Sequence, residues 1–208
     1  MYYKDVNKLI ELLRTYTCKG NEFNQYTMVD DTDLADGALT RCHNLRNYLI
    51  DNMCPDYILV AESPSTGARY TGIPLTSEKA MDEYIYKPHY YYTSKSSLYG
   101  NYLKGERSAY KVWKETSKSS KKFMFWNAFP FNIKSGKSWY SAPTTEQLKS
   151  TKYILEAFLK LNPKAKVVAL GRKAESALQC LGVAYTKYIH HPSHDYKQEF
   201  SEGMRSVL

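Results

Sequence analysis

The chain has 208 residues, 43% hydrophobic and 24% charged, which suits one domain with a sizeable core and excludes a wholly disordered polymer. No apolar run approaches the roughly 18 residues needed to span a bilayer. The opening "MYYKDVNKLIELL" has an early acid and charges inside its apolar part, a poor signal peptide, so a cytosolic protein without a membrane partner is expected. The formal net charge of +8 favours a polyanionic partner, since each Lys or Arg on a phosphate releases counterions, although the same charge also serves solubility. The 20 tyrosines add rings that could stack on unpaired bases.

In chain order, "VNKLIELLRTY" places Val6, Leu9, Ile10 and Leu13 on one face of a helix. "YILVA" (57–61) is short, β-branched and apolar, the signature of a buried strand. Residues 86–105, rich in Tyr, Ser and Lys, lack a clean period and are expected to form a surface excursion. "ERSAYKVWKET" is helical, and "FMFWN" (123–127) is a second strand. "TTEQLKSTKYILEAFLKL" is expected to form one helix with Leu148, Leu155, Phe158 and Leu159 inward. Thr144 or Thr145 would cap it, with Glu146 in its first turn. "KVVALG" (166–171) is a third strand, "RKAESALQCLG" a helix ended by Gly182, and "YTKYI" (185–189) a fourth strand. Strands alternating with helices imply a three-layer α/β/α architecture around a four-stranded, mostly parallel sheet. Residues 1–208 form one domain in this reading, with an N-terminal helical part (1–54) and a core (55–205).

The polar punctuation falls at the carboxyl ends of the four strands: "ESPSTG" after the first, Asn127 closing the second, "GRKA" after the third and "HHPSHD" after the fourth. Ligands bind at that edge of open α/β sheets, so a cleft is expected there. Several chemistries can be set aside. "SGKS" (135–138) would need its first P-loop glycine at Phe131, and the G-x-S-x-G and G-x-G-x-x-G patterns are missing. His190, His191, His194 and Asp195 could supply metal ligands. However, adjacent residues of an extended chain point opposite ways, and Pro192 stiffens the turn, so no metal is expected. Cys18, Cys42, Cys54 and Cys180 form no close pair, which argues against zinc or an iron–sulfur cluster and for free, mostly buried thiols. No cofactor is expected.

"VAESPSTGARYTGIPLTSE" (60–78), "FWNAFPFNI" (125–133), "GRKA" (171–174) and "HHPS" (190–193) occur in the order and spacing of the uracil-DNA glycosylase superfamily. The chain resembles its bacterial and phage-associated branches most, from about residue 55 to about 205. The resemblance implies a monofunctional glycosylase that flips a base out of DNA and hydrolyses its N-glycosidic bond with water, leaving an abasic site. It places the first family motif on residues 61–65, beside the target nucleotide and the water. It gives Asn127 the reading of the flipped base and His191 the stabilisation of charge on the departing base. Ser193 and Ser65, with Pro192 and Pro64, would hold DNA phosphates.

Two departures stand out. Ser63 occupies the position of the water-orienting Asp of the most active uracil enzymes, leaving Glu62 to place water or to brace the loop. Leu75 occupies the position of an aromatic ring that stacks on the base. The substrate therefore stays open between a deaminated base such as uracil and a modified base. Hypermodified cytosine in phage DNA is one such case, since some superfamily members act in antiviral defence. Two rival readings also stay open: a non-catalytic DNA-binding module on a glycosylase fold, and a metal-dependent hydrolase built on the histidines. The protein is expected to be monomeric, with DNA, single- or double-stranded, as its partner.

Overall fold

The computed structural model describes residues 2–85, 91–96, 98, 103, 105–136, 138–192 and 197–208. Most of the Tyr-rich excursion, together with Ser193, His194 and Asp195, lies outside the described residues. The order is α1 (Tyr2–Thr15), β1 (Glu22–Phe23), α2 (Gly37–Asp51), β2 (Tyr57–Ala61) and the short α3 (Glu78–Ala80), which runs into a π-helical turn (Met81–Ile85). There follow α4 (Arg107–Thr116), β3 (Phe123–Asn127), β4 (Asn132–Ile133), α5 (Thr145–Ser150), α6 (Lys152–Leu161), β5 (Lys166–Leu170), α7 (Arg172–Leu181), β6 (Lys187–Ile189) and α8 (Lys197–Arg205).

The central sheet has the order β3-β2-β5-β6, and every neighbour pair in it is parallel. β2 and β3 run in register from Tyr57 opposite Phe123 to Ala61 opposite Asn127, so the polar residues that follow them leave from one edge. Helices flank the sheet in the expected three-layer α/β/α arrangement. α1 buries Val6, Leu9, Ile10 and Leu13, one stripe at helical spacing, and packs on α2 and α6. α7 packs on β5 and β2, and α8 on β6. Trp126 of β3 lies flat on Phe158 of α6, with ring centroids 4.0 Å apart. Among the described residues no helix is long and apolar enough to cross a membrane.

Some local expectations change. The helix expected over 144–161 is two helices, α5 and α6. Thr151 is the break: its backbone leaves the helical region (φ −109, ψ 4), and its buried hydroxyl bonds back to the carbonyls of Gln147 and Leu148. Thr144, not Thr145, is the cap, paired reciprocally with Gln147. Leu159 is only partly buried. The third and fourth strands are shorter than expected, ending at Leu170 and beginning at Lys187. α7 ends at Gly182 in the left-handed conformation, as expected. The thiols are free but not mostly buried, for Cys54 and Cys180 are exposed and Cys18 and Cys42 half-buried. Cys180 misses the inward stripe of Ala174, Ala177, Leu178 and Leu181, and Cys54 sits in the turn before β2.

A feature with no sequence forecast lies beside the sheet. Asp33 bridges two arginines, one carboxylate oxygen 2.8 Å from Arg41 Nη1 and the other 2.7 Å from Arg69 Nη2; all three side chains are fully buried. Asp30 adds a second carboxylate 2.6 Å from Arg69. The Arg69 guanidinium also lies over the Trp139 ring, 4.2 Å from its centroid, and against Phe23 and Tyr70. Removing one partner of such a group strands the others without compensation. Asp33→Asn, measured by urea unfolding, is expected to lose about 3–5 kcal/mol, far more than a surface substitution.

Candidate active site

A cavity of about 440 Å³ opens at the carboxyl edge of the sheet. It collects the polar ends of β2, β3, β5 and β6, as the strand order requires. Ala61 ends β2, Glu62, Ser63 and Ser65 come from the loop after it, Asn127 from the end of β3, residues 171–174 from the start of α7, and His190 and His191 from just after β6. Leu75, Glu106 and Tyr140 reach it from outside the strand ends.

Asn127 is 2% exposed, and its Oδ1 has no hydrogen-bond partner among the described residues. The Ser63 hydroxyl oxygen is buried and unpartnered in the same way. A buried polar atom left unmatched costs about 1–3 kcal/mol, so two on one cavity wall call for an explanation outside the resting fold.

His191 is half-buried and gripped from two sides. Gly171, at φ 90, begins α7 and donates its N–H to the Ile189 carbonyl at 2.7 Å. A Cβ on Gly171 would fall 2.8 Å from that of His191, so only glycine allows this approach. From the other side Lys111 of α4 donates to the carbonyl of the buried Pro192 at 3.0 Å. Burial, and then the Lys173 and Lys111 charges, hold the His191 pKa below 6.5. At neutral pH the ring is therefore an uncharged imidazole with one N–H to donate. His190 lies edge-on to Tyr188, with ring centroids 5.0 Å apart.

The two carboxylates of the cavity differ in their partners. Glu62 accepts from the Tyr140 hydroxyl at 3.0 Å, and that hydroxyl oxygen accepts from the Lys173 ammonium at 2.9 Å. Burial raises the pKa of Glu62, opposed by Tyr140 and Lys173. Glu106 instead accepts the hydroxyl proton of Ser65, whose oxygen also takes the Ala68 N–H at 3.2 Å. Burial raises the Glu106 pKa too, opposed by that one hydrogen bond. Pro64 is buried, and its carbonyl, like those of Ser65 and Trp139, lies within reach of the Asn132 amide. Leu75 is 7% exposed and holds a left-handed backbone at φ 52, which disfavours a side-chain-bearing residue by about 1–2 kcal/mol. Such strain concentrates at ligand sites.

The sequence-derived residues Glu62, Ser63, Ser65, Leu75, Asn127 and His191 thus line one cavity. Pro64 and Pro192 lie in the two loops that carry them, while Ser193 lies outside the described residues. Glu106, Tyr140 and Lys173 were not singled out from the sequence. Lys173 belongs to "GRKA", Glu106 opens an evident helix, and only the fold brings them and Tyr140 to the cavity. Among the described residues no group of three or more His, Cys, Asp or Glu is placed to hold a metal ion.

No family model and no curated protein matches the sequence. A solved structure matches the fold: wild-type SMUG2 of Pedobacter heparinus, with a TM-score of 0.65 over 98% of this chain and 96% of that chain, at 14% identity. SMUG2 is a member of the uracil-DNA glycosylase superfamily. This chain has the uracil-DNA glycosylase fold. The architecture expected from the sequence motifs is therefore the one the chain adopts, with its cavity at the sheet edge where those motifs fall.

Because Lys173 depresses the His191 pKa, its removal has a definite sign. In Lys173→Ala the imidazole should titrate at a higher pH than in the wild type, moving back toward 6.5, when followed by NMR. An unchanged or lower value would mean that the ammonium is not felt at the ring.

Proposed function

We propose that this chain is a monofunctional DNA glycosylase that flips a uracil or modified base into the cavity and hydrolyses its N-glycosidic bond, leaving an abasic site. The observation that carries this reading is the unpartnered amide oxygen of Asn127, buried in the cavity that also holds a neutral His191. An amide offers both a donor and an acceptor, and a pyrimidine edge completes what the resting fold leaves open.

As the glycosidic bond breaks, its electron pair leaves with the base and negative charge grows on the ring and its carbonyl. The His191 N–H, aimed at that oxygen, stabilises the transition state more than the ground state, an effect of about 3 kcal/mol for one such donor. A neutral imidazole can make this bond without first gaining a proton. Water then adds to the sugar, held by a cavity carboxylate, for which the sequence singles out Glu62. Pro64, Ser65, Pro192 and Ser193 would pinch the phosphates on either side of the flipped nucleotide. The N-terminus of α7, with Arg172 and Lys173 exposed on it, adds positive potential beside them. The step needs water and no cofactor.

Leu75 gives the base no ring to stack on. That favours a base held by its edge, and leaves room in the substrate class for a modified cytosine, with a role against phage DNA, as well as for uracil. Ser63 favours a second reading, a DNA-binding module without catalysis, because it removes the water-orienting carboxylate from the position before Pro64.

The test is a panel of single- and double-stranded DNAs carrying uracil, hypoxanthine, 5-hydroxymethylcytosine or its glucosylated form, with alkali to reveal abasic sites. Excision from at least one member is expected, lost by about 100-fold or more in His191→Ala and strongly reduced in Asn127→Ala. Activity should survive exhaustive EDTA. Tight binding with no excision anywhere would establish the binding module instead, and loss of excision in EDTA would favour the metal-dependent hydrolase.

A further inference from the structure

Ser63 leaves the first loop without its own carboxylate at the position next to Pro64, yet the cavity holds two. Their settings separate them. Glu62 is already engaged, its Oε2 taking the Tyr140 proton while Lys173 holds the same hydroxyl. A carboxylate facing a donor and a cation is a weaker base than one facing a donor alone.

Glu106 is placed differently. It is the N-cap residue of α4, with extended backbone (φ −139, ψ 124), but its side chain makes no capping bond to its own helix. The side chain instead crosses to the first loop, where Ser65 donates to Oε2 and leaves Oε1 without a partner among the described residues. The loop is shaped to admit it. A Cβ on Gly67 would fall 2.9 Å from Glu106 Oε2 and 3.1 Å from its Cβ, so Gly67 is the space that Glu106 fills.

We propose that Glu106 is a catalytic residue: the carboxylate that receives the proton of the attacking water. This rests on the glycosylase reading above. In the step, the bond between the sugar C1′ and the base nitrogen breaks, its electron pair leaving on the base. The water oxygen bonds to C1′, and one water proton passes to the free oxygen of Glu106. Glu106 releases that proton to solvent and the base takes one from solvent, so that the sum is one water added across the bond. Burial raises the Glu106 pKa above that of an ordinary carboxylate, the direction that makes a stronger general base. Among the described residues the other titratable or charged groups facing the cavity are Glu62, Tyr140, Arg172, Lys173, Tyr188, His190 and His191, and they remain in every variant but the Glu62 control.

The experiment uses the full chain and the best-excised DNA of the panel under single-turnover conditions. Glu106→Gln is expected to slow excision by about 100-fold or more and to remove one acid limb of the pH–rate profile. Its affinity for DNA carrying a 2′-fluoro analogue of the excised nucleotide should not change. Glu62→Gln should keep that limb. Ser65→Ala removes the bond that lowers the Glu106 pKa, so it should move the limb to higher pH. Folding is controlled by thermal melts. Because the folded-state pKa of Glu106 is raised, stability tied to its protonation is lost as pH rises through that value, so Glu106→Gln should melt no lower than wild type above it. An active wild type with an equally active Glu106→Gln, or a limb that Ser65→Ala does not move, overturns the proposal while leaving the glycosylase reading intact. A wild type that excises nothing overturns both.

Discussion

The site depends on a charged cluster that it does not contain. Asp33, held between Arg41 and Arg69 with all three side chains fully buried, fixes segments that the sheet does not reach. Arg41 also bonds the carbonyls of Gln25 and Met28 and the Ser94 hydroxyl, while Arg69 carries Trp139 on its face. Three desolvated charges are expensive, and the close pairing of Asp33 with both guanidiniums offsets them, although the Arg69 Nε has no partner among the described residues. Their geometry therefore tolerates little movement. The loop from β2 to α3 is stretched between this cluster and the sheet edge, with Glu62, Ser63 and Ser65 on one side of Arg69 and Leu75 on the other. That anchoring supports two unfavourable local states, the left-handed backbone of Leu75 and the orphaned hydroxyl of Ser63.

The cavity is electrically two-sided. Lys173, Arg172 and the start of α7 supply positive charge, with Lys111 reaching the Pro192 carbonyl; Glu62 of the first loop and Glu106 at the N-cap of α4 supply the carboxylates. In the proposed reaction a nucleotide would divide in the same way, since its phosphates need cations while a sugar that gains positive charge as the base departs needs anions. The walls also act on each other. Burial, and then the cations, lower the His191 pKa, and phosphates arriving near the carboxylates would raise their proton affinity further.

Much of this was legible in the sequence, for definite reasons. The strands of a parallel sheet are covered on both faces, so they read as unbroken apolar runs, and "YILVA" and "FMFWN" match their strands residue for residue. α1 was legible because its inward face is purely apolar. α2 was not, because it buries Arg41, Asn44 and Asn47 together with Leu45, Tyr48 and Leu49, and those polar residues erase the stripe. The break at Thr151 is a single hydroxyl bonding backward inside an otherwise regular pattern. β1 and β4 have two residues each, too few to carry a period. At the site, residues next to strand ends could be found, because chain order and sheet order together bring them to one edge. Glu106 and Tyr140 could not, since their partners Ser65 and Glu62 lie 41 and 78 positions away.

The missed residue Glu106 also shows what the helix before β3 does. Its N-cap carboxylate takes the Ser65 proton, Lys111 in its middle holds the Pro192 carbonyl, and the Trp113 indole N–H donates to Thr76 at 3.0 Å. Trp113 in turn packs edge-on against Phe125 of β3, with ring centroids 4.8 Å apart. One ten-residue helix thus touches the first loop at both of its ends and the histidine loop besides, while standing on the sheet. In the proposed function, a pinch on DNA phosphates would need its two jaws to keep their spacing when the strand pushes back, and α4, bonded to both loops, would set that spacing. Placing a carboxylate on this strut instead of on the loop has the same mechanical sense. At the N-cap of a helix a side chain is held more firmly than in a free turn, so under this proposal the carboxylate that Ser63 lacks would be replaced by one on a stiffer support.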